Sequence, residues 1–163
     1  MAVVKLSGRA VRLARHARQL PVVGWREWIA LPTLDIGRIK AKIDTGARTS
    51  SLHAFDISEF TKRGVPHVAF VVHTQQRRRT PAVECQAPVH DQRLVTSSTG
   101  HRQRRYVIKV EIAAGGLTWP IELTLADRDA MGFRMLLGRQ ALRRRFLIDP
   151  SRSYLAGEPG AKT

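Results

Sequence analysis

Cysteines, acidic residues and long hydrophobic runs are all scarce in this chain of 163 residues. A single cysteine, Cys85, excludes an intrachain disulfide and favours a reducing compartment, so we expect a cytoplasmic protein. We expect Cys85 itself to be a buried or incidental thiol rather than a nucleophile. No apolar run has the length needed to cross a bilayer, and the first residues lack the hydrophobic core of a signal peptide. These absences predict a soluble domain with no transmembrane segment.

Two sequence signatures of metal and nucleotide sites are also missing. None of the six histidines belongs to a His-Glu-x-x-His motif, and His67, His73, His90 and His101 have no spacing that demands a shared ion. His53 stays a candidate contact to substrate or metal. No Gly-x-x-x-x-Gly-Lys-Ser/Thr loop is present to bind a nucleotide. We therefore expect neither a cofactor nor a resident metal.

The shortage of acids leaves the chain strongly basic. Lys and Arg number 28 against 13 Asp and Glu, giving a formal charge of +15 and a pI near 11.5. This charge favours acidic partners, and composition alone does not choose among nucleic acid, an anionic membrane surface and an acidic peptide. The arginines cluster at 77–79, at 102, 104 and 105, and at 143–145. For each cluster a solvated face is favoured over a dedicated binding site.

The length and a hydrophobic fraction of 43% suit one domain. We expect residues 1–20 to form a flexible basic tail, with an interfacial helix or a targeting segment as alternatives. Residues 21–156 then form the domain, and residues 157–163 form a second flexible tail.

Short strand-like segments separated by Gly and Pro recur along the chain and predict an all-β fold. The expected helical content is a turn or two after Gly138. A hairpin is indicated by Ala113-Ala114-Gly115-Gly116. The predicted strands are 21–31, 38–43, 67–73, 106–112, 117–125, 146–150 and 154–155.

Asp44-Thr45-Gly46-Ala47 follows one of these strands, where Thr and Gly can hold a carboxylate for acid/base work. Asp before Thr-Gly is also a common turn whose side chain binds nearby amides, so the motif alone does not establish a site. A second segment, Met135–Leu142, carries an apolar run followed by Gly138 and Arg139. The two segments together are far more specific than either one.

The pair resembles the retropepsin-like aspartic proteases, in which a strand ending in Asp-Thr-Gly-Ala precedes a late hydrophobic-hydrophobic-Gly-Arg-x-x-Leu element. More closely, Ala41–Ala54 and Ala126–Leu142 are similar to the bacterial branch labelled "ATP-dependent zinc protease", over roughly Gly24 to Leu155. The resemblance implies a closed all-β barrel with one short C-terminal helix. It also implies a homodimer, because the chain has one Asp-Thr-Gly and the reaction needs two carboxylates.

The resemblance also implies roles for individual residues. Asp44 would be the catalytic carboxylate, Thr45 would hydrogen-bond across the twofold axis, and Gly46 would allow close backbone approach. Ala47 and Arg48 would lie beside substrate, while Gly138 and Arg139 would support the active loop. The segment Val95–Gly100 is a flap or an ordinary mobile loop; as a flap it would bring Ser98, Thr99 and Gly100 to the substrate.

The sequence departs in two ways from the retroviral members of the resembled protease family. Asp44 and Gly138 are 94 positions apart, so an insertion is implied; it includes Lys62–Cys85, as a lid, an extra hairpin or a partner surface. The viral enzymes carry an acid at the position of Arg48, where it pairs with the arginine that matches Arg139. Arg139 therefore needs another partner, and a carbonyl or acid near the dimer seam is favoured over a substrate carboxylate.

The sequence thus favours an aspartic endopeptidase that cleaves acidic or glutamate-modified proteins. The resembled branch is associated with ATP-grasp ligases that add glutamates to proteins, including a ribosomal one, so a ligase or ribosomal protein is a possible partner. A zinc-dependent peptidase with His53 among its ligands is one alternative. A non-catalytic module that binds ribosome or RNA through its arginine clusters is another. Nucleic acid is not favoured, because no aromatic-rich motif accompanies those clusters.

Overall fold

The computed structural model describes residues 20–97, 99–127 and 132–160. Strands dominate these residues, with one 3-10 turn at Pro32–Leu34 and one helix, α1, at Arg139–Leu142. No described helix combines the length and the apolar character that crossing a membrane would require. The strands are β1 Val22–Val23, β2 Arg26–Leu31, β3 Ile36–Ile43, β4 Ser50–His53, β5 Phe55–Lys62, β6 Val65–His73, β7 Ala82–Pro88, β8 Asp91–Thr96, β9 Arg102–Ala114, β10 Leu117–Ala126, β11 Met135–Leu137 and β12 Leu147–Ile148.

The all-β prediction with one short helix after Gly138 is confirmed. Three predicted strands are wrong in detail. Of residues 146–150, only Leu147–Ile148 form a strand, and this strand pairs with β1 in a separate sheet. Residues 21–31 are divided into β1 and β2, because Gly24 lies against the backbone of Arg152, where an added Cβ would come within 2.2 Å of the carbonyl oxygen. Residues 154–155 form a turn, with Tyr154 at a φ of 57°. The Tyr154 amide donates to the Arg26 carbonyl and the Leu155 amide donates to the Glu27 carboxylate, so these residues contact β2 without forming a strand ladder with it.

Six strands pair in a ring, in the order β9, β2, β3, β11, β4, β10 and back to β9. The β2–β9 link is the residue pair Ala30 and Ala113, and β8 extends the sheet along β9. β11 runs parallel to β3, with Leu137 opposite Ile43. This parallel pair brings the residues that follow the two strands to the same end of the sheet.

The alternation along β3 explains which of its faces is buried. Ile39 and Ala41 are fully buried, whereas the cationic side chains of Arg38, Lys40 and Lys42 point away from the core. Fully burying an isoleucine contributes roughly 2 kcal/mol. The strand therefore has a fixed register, because a slip by one residue would bury the cations.

The segment Lys62–Cys85, for which the sequence left three possibilities open, forms a hairpin. It runs from the end of β5 through β6 into β7, and these three strands make a separate antiparallel sheet. Val68, Phe70 and Val72 on β6 are buried in the main hydrophobic core. The insertion is thus packed into the domain. Cys85 is also buried, and burial raises the pKa of its thiol to about 11, so it is a poor nucleophile.

Glu27 on β2 is a fully buried acid that contacts the segment after β12. Its Oε1 accepts hydrogen bonds from the amides of Gly24 (2.7 Å) and Leu155 (2.8 Å), and its Oε2 accepts one from Ala156 (3.1 Å). Three backbone amides thus compensate one buried carboxylate. The contacts fasten the segment after β12 onto β2.

Replacing Glu27 with Ala should lower the free energy of unfolding by about 2–4 kcal/mol, because three buried amides lose their acceptor. Glu27→Gln should cost less, since its carbonyl oxygen still accepts hydrogen bonds. Chemical denaturation of both variants measures this. A Glu27→Ala protein as stable as the wild type would contradict the assigned role.

Candidate active site

Asp44 begins the loop between β3 and β4 and is half-buried. Its backbone amide donates to the Leu137 carbonyl at 2.9 Å, which continues the β3–β11 pairing by one residue. Its carboxylate Oδ1 accepts the amides of Gly46 at 3.0 Å and Ala47 at 3.2 Å. These two hydrogen bonds orient the side chain over its own loop.

The start of α1 holds the same loop from the other side. The Arg139 amide donates to the Ala47 carbonyl at 2.9 Å, and the Gln140 amide donates to the Arg48 carbonyl at 3.1 Å. The Gly138 amide donates to the buried Ser50 Oγ at 3.1 Å. The first amides of a helix have no partners within the helix, so the loop carbonyls satisfy them.

The Arg139 side chain adds two more contacts to this loop. One guanidinium nitrogen donates to the carbonyls of Thr45 at 2.8 Å and Gly46 at 3.0 Å. The sequence favoured a carbonyl or acid as the partner of Arg139, and the carbonyl alternative agrees with these bonds. Its place at a dimer seam stays a prediction.

Gly138 and Gly46 occupy positions where a side chain would crowd the loop. A Cβ on Gly138 would lie 2.6 Å from both the carbonyl carbon and the carbonyl oxygen of Thr49. A Cβ on Gly46 would lie 3.2 Å from the Asp44 Oδ1. The tighter constraint is at Gly138, because backbone atoms have little freedom to move aside.

A cleft of about 880 Å³ opens beside the loop. Of the residues predicted for the site, Asp44, Gly46, Ala47 and Arg48 line this cleft. Thr45 is exposed outside the cleft lining, in a second depression that also includes Arg139. Of the residues predicted on the Asp44 loop, the structure thus places all but Thr45 at this cleft.

The predicted flap is the tip of the β8–β9 hairpin. Leu94, Val95, Thr96 and Ser97 line the same cleft as the Asp44 loop. Beyond them, Thr99 and Gly100 form the turn, with Gly100 at a φ of 79° and the Thr99 hydroxyl 2.8 Å from the Ser97 hydroxyl. Ser98 lies outside the described residues. Substrate contact by this hairpin stays a prediction.

The sequence did not predict the charged groups that also line the cleft. Arg93, Arg105, Glu122 and Arg134 all line it. Arg134 is buried, and its guanidinium donates to main-chain carbonyls of the β6–β7 connection at 3.3 and 3.4 Å. These residues belong to four different segments with no shared motif, so no sequence signal links them to Asp44.

Arg93 and Glu122 form an ion pair with 2.7 Å between guanidinium nitrogen and carboxylate oxygen. Arg93 also contacts Asp91 at 2.8 Å, and His90 lies 3.4 Å from Glu122. The hydrogen bond that Arg93 donates to Glu122 holds the pKa of Glu122 below its usual range and raises the pKa of Arg93. Both groups are therefore charged at neutral pH.

The label of the resembled branch names zinc, which needs a group of His, Cys, Asp or Glu side chains as ligands. In the described parts of the chain, no three His, Cys, Asp or Glu side chains group together as metal ligands do. His53 is buried, lines the cleft, and packs against Phe55 with 4.5 Å between ring centroids and planes inclined by 42°. The described residues therefore do not fit a zinc site.

A family model for the RimB-like retropepsin-like aspartic endopeptidases matches residues 22–159. The chain belongs to this RimB-like family. The match includes both the Asp44 loop and the Gly138-Arg139 element that holds it. The resemblance inferred from those two motifs is confirmed at the level of the family.

Several curated relatives share the RimB-like region. A probable alpha-L-glutamate ligase from Shewanella pealeana is 47% identical over 139 residues, which are 85% of this chain. A protein of the same name from Desulfotalea psychrophila is 45% identical over 137 residues, or 84% of this chain. The chain spans about 30% of the length of each relative. The ligase name thus describes much longer proteins.

A solved structure supports the RimB-like fold. The crystal structure of a protein of unknown function from Legionella pneumophila superposes with a TM-score of 0.68 at 26% sequence identity. The match covers 82% of this chain and 96% of the other.

Gly138→Ala should lower the free energy of unfolding by at least about 2 kcal/mol, because the new methyl group meets the Thr49 backbone. Gly37→Ala is the matched control, since a Cβ there meets no atom within 4 Å. The control should change stability by less than about 1 kcal/mol. Equal denaturation midpoints for the two variants would contradict the close packing at Gly138.

Glu122→Gln should lower stability at pH 7 by no more than about 1 kcal/mol, because the ion pair is partly exposed and screened. The folded-state pKa of Glu122 is lowered, so its stabilising effect is complete above the usual glutamate range and is lost as the pH falls through the lowered pKa. Denaturation midpoints from pH 7 to pH 3 should therefore converge for the variant and the wild type. Glu84→Gln, at an exposed position of β7, is the control. A stability difference between Glu122→Gln and the wild type that does not change with pH would refute the ion pair's contribution.

Proposed function

We propose that this chain is an aspartic endopeptidase that acts as a homodimer, with the Asp44 carboxylates of two copies at one active site. The observation that carries the proposal is the Asp44 side chain, oriented by the Gly46 and Ala47 amides beside a cleft large enough for an extended peptide. In this proposal the ring of six strands is the closed barrel of a retropepsin-like protomer. Membership of a family described as aspartic endopeptidases supports the same reaction.

The chemistry needs two carboxylates that share one proton. The ionised carboxylate accepts a proton from water while the water oxygen bonds to the peptide carbonyl carbon. The protonated carboxylate donates its proton to the carbonyl oxygen, giving a neutral tetrahedral intermediate. Proton transfer to the peptide nitrogen then accompanies cleavage of the carbon–nitrogen bond. Two carboxylates at this separation do not both ionise, which keeps one proton in the pair.

The second carboxylate comes from a second copy, because the sequence contains one Asp-Thr-Gly. A twofold axis beside the loop would bring two equivalent Asp44 residues together. Thr45 is exposed next to Asp44, where it is available for contact with the partner copy. Arg139 fixes the carbonyls on either side of that contact, since it binds both Thr45 and Gly46.

The charge of the cleft favours an acidic substrate. Among the described residues that line it, the arginines are Arg48, Arg93, Arg105 and Arg134, and the carboxylates are Asp44 and Glu122. Arginines therefore outnumber carboxylates in the lining by four to two, and the resulting positive field attracts the carboxylates of a peptide. We therefore assign the cleft to glutamate-rich protein segments.

The longer relatives suggest where such segments arise. Their printed name, probable alpha-L-glutamate ligase, describes proteins of which this region is about 30%. A domain that occurs within the same chain as a glutamate ligase acts near glutamate-modified proteins. We propose that this chain removes or trims such additions and associates with a ligase of that kind.

Asp44→Asn should reduce hydrolysis of a glutamate-tailed peptide by at least a factor of about 100, because the amide cannot take the proton from water. Peptide cleavage followed by mass spectrometry measures this, and analytical ultracentrifugation should show unchanged assembly. Asp56→Asn, an acid in β5 outside the cleft lining, is the matched control.

Undiminished cleavage by Asp44→Asn would refute the mechanism. A peptide in which glutamine replaces every glutamate should be cleaved more slowly than the glutamate-tailed peptide. Equal rates would leave the aspartic mechanism intact and refute the assigned substrate. Loss of cleavage on chelation with recovery on zinc addition would support the metal-dependent alternative.

A further inference from the structure

A second charged surface lies on the outward side of β2 and β3, formed by residues that the proposed peptidase reaction does not use. We call it the cation–aromatic face. It consists of Trp25, Arg26, Trp28, Arg38, Lys40 and Tyr154.

The rings and cations of this face are layered. Trp28 and Tyr154 stack with ring centroids 5.4 Å apart and planes inclined by 18°. The Arg38 guanidinium lies over Trp28, 3.7 Å from the ring centroid, and the Lys40 ammonium lies 5.1 Å from the same ring. Arg26 lies between Trp25 at 4.6 Å and Tyr154 at 5.1 Å. The cationic groups therefore lie over the flat sides of the aromatic rings.

The strand register produces this arrangement. β2 and β3 are antiparallel, with Arg26 opposite Lys42 and Trp28 opposite Lys40. Alternate residues of a strand share one side of the sheet, so these four side chains project together. Trp28 and the cations of the face are thus held on paired strands, and Trp25 and Tyr154 join them from the adjoining connections.

The face opens onto a groove of about 870 Å³, whose opposite wall contains Gln75, Gln76 and Arg77. Phe133 borders both this groove and the Asp44 cleft, so the two surfaces adjoin. Glu158 contacts Arg38 at 3.1 Å, with both side chains about half exposed. An ion pair with that exposure is weak and is readily replaced by a phosphate.

We propose that the cation–aromatic face binds single-stranded nucleic acid. Such sites combine a positive groove that follows the phosphates with aromatic rings or arginine planes on which unpaired bases stack. Here Arg38, Lys40 and Arg77 supply the charge. The stacking surface is the outer plane of the half-exposed Arg38 guanidinium, which lies on Trp28 with Tyr154 behind it. The sequence did not favour nucleic acid, since no aromatic motif accompanies the arginine runs; folding brings Trp28 and Tyr154 together beside cations outside those runs.

The stacking surfaces distinguish this ligand from other polyanions. A glutamate-rich peptide matches the charge but has no flat rings to stack against the layer. A duplex matches the charge but keeps its bases within the helix. Single strands offer both phosphates and accessible bases.

The test measures binding of a fluorescent adenine dodecamer of RNA to the full chain by anisotropy at several salt concentrations. The double variant Arg38→Gln/Lys40→Gln should weaken binding about tenfold or more and reduce the steepness of the salt dependence by about one to two phosphate contacts. Lys62→Gln/Arg63→Gln, at the β5–β6 turn, removes the same charge and should change affinity by less than about threefold. Equal loss in both double variants would overturn the proposal.

Trp28→Ala should weaken binding by at least about fivefold, and Trp28→Phe should retain most of the affinity because a ring remains. Thermal melting of both variants verifies that they are folded. RNA binding by Trp28→Ala at wild-type affinity would overturn the stacking role. The Asp44→Asn protein should bind RNA normally, which separates this proposal from the peptidase.

Competition experiments identify the class of ligand. An adenine DNA dodecamer should also bind, and tighter binding of RNA would support RNA as the natural source. A duplex of equal length should compete more weakly than the single strand. Equal competition by poly-L-glutamate, charge for charge, would assign the face to acidic proteins and overturn the proposal.

Discussion

The attachment of the Gly138–Gln140 segment to the Asp44 loop is the interaction on which the rest of the site depends. Parallel pairing of β11 with β3 brings the two segments together across 94 positions of sequence. Four hydrogen bonds from the Arg139 and Gln140 amides and the Arg139 guanidinium then fasten the loop at Thr45, Gly46, Ala47 and Arg48. A loop held at four successive carbonyls keeps its carboxylate in one place. Catalysis by a pair of such loops requires this fixed geometry.

β3 connects the three parts of the molecule that matter for function. Its buried side contributes Ile39 and Ala41 to the core, its end carries Asp44, and its outward side carries Arg38 and Lys40. The cleft and the cation–aromatic face therefore adjoin, and β3 positions residues of both. In the account proposed here, one surface binds an acidic peptide segment and the other binds an unpaired nucleic-acid strand.

The elements that could be predicted from the sequence are those whose evidence is local. The alternation in β3 identified the strand, and the Asp44 and Gly138 motifs identified the loop and its support because each is contiguous. Glu27 could not be predicted: an acid within a strand pattern indicates an exposed position, and two of its donors come from residues 128 and 129 positions away. The stack of Trp28 on Tyr154 and the Arg93–Glu122 pair were missed for the same reason, since only tertiary folding brings them together.

The central claim is that two copies of Asp44 form one active site, and mixed assemblies test it most directly. Wild-type chain is mixed with Asp44→Asn chain at a constant total concentration, and the assemblies are allowed to exchange before peptide cleavage is measured. If each site needs both carboxylates, activity follows the square of the wild-type fraction, so an equal mixture retains about one quarter of the activity. An equal mixture that retains about one half would show that each chain acts alone, and would contradict the account.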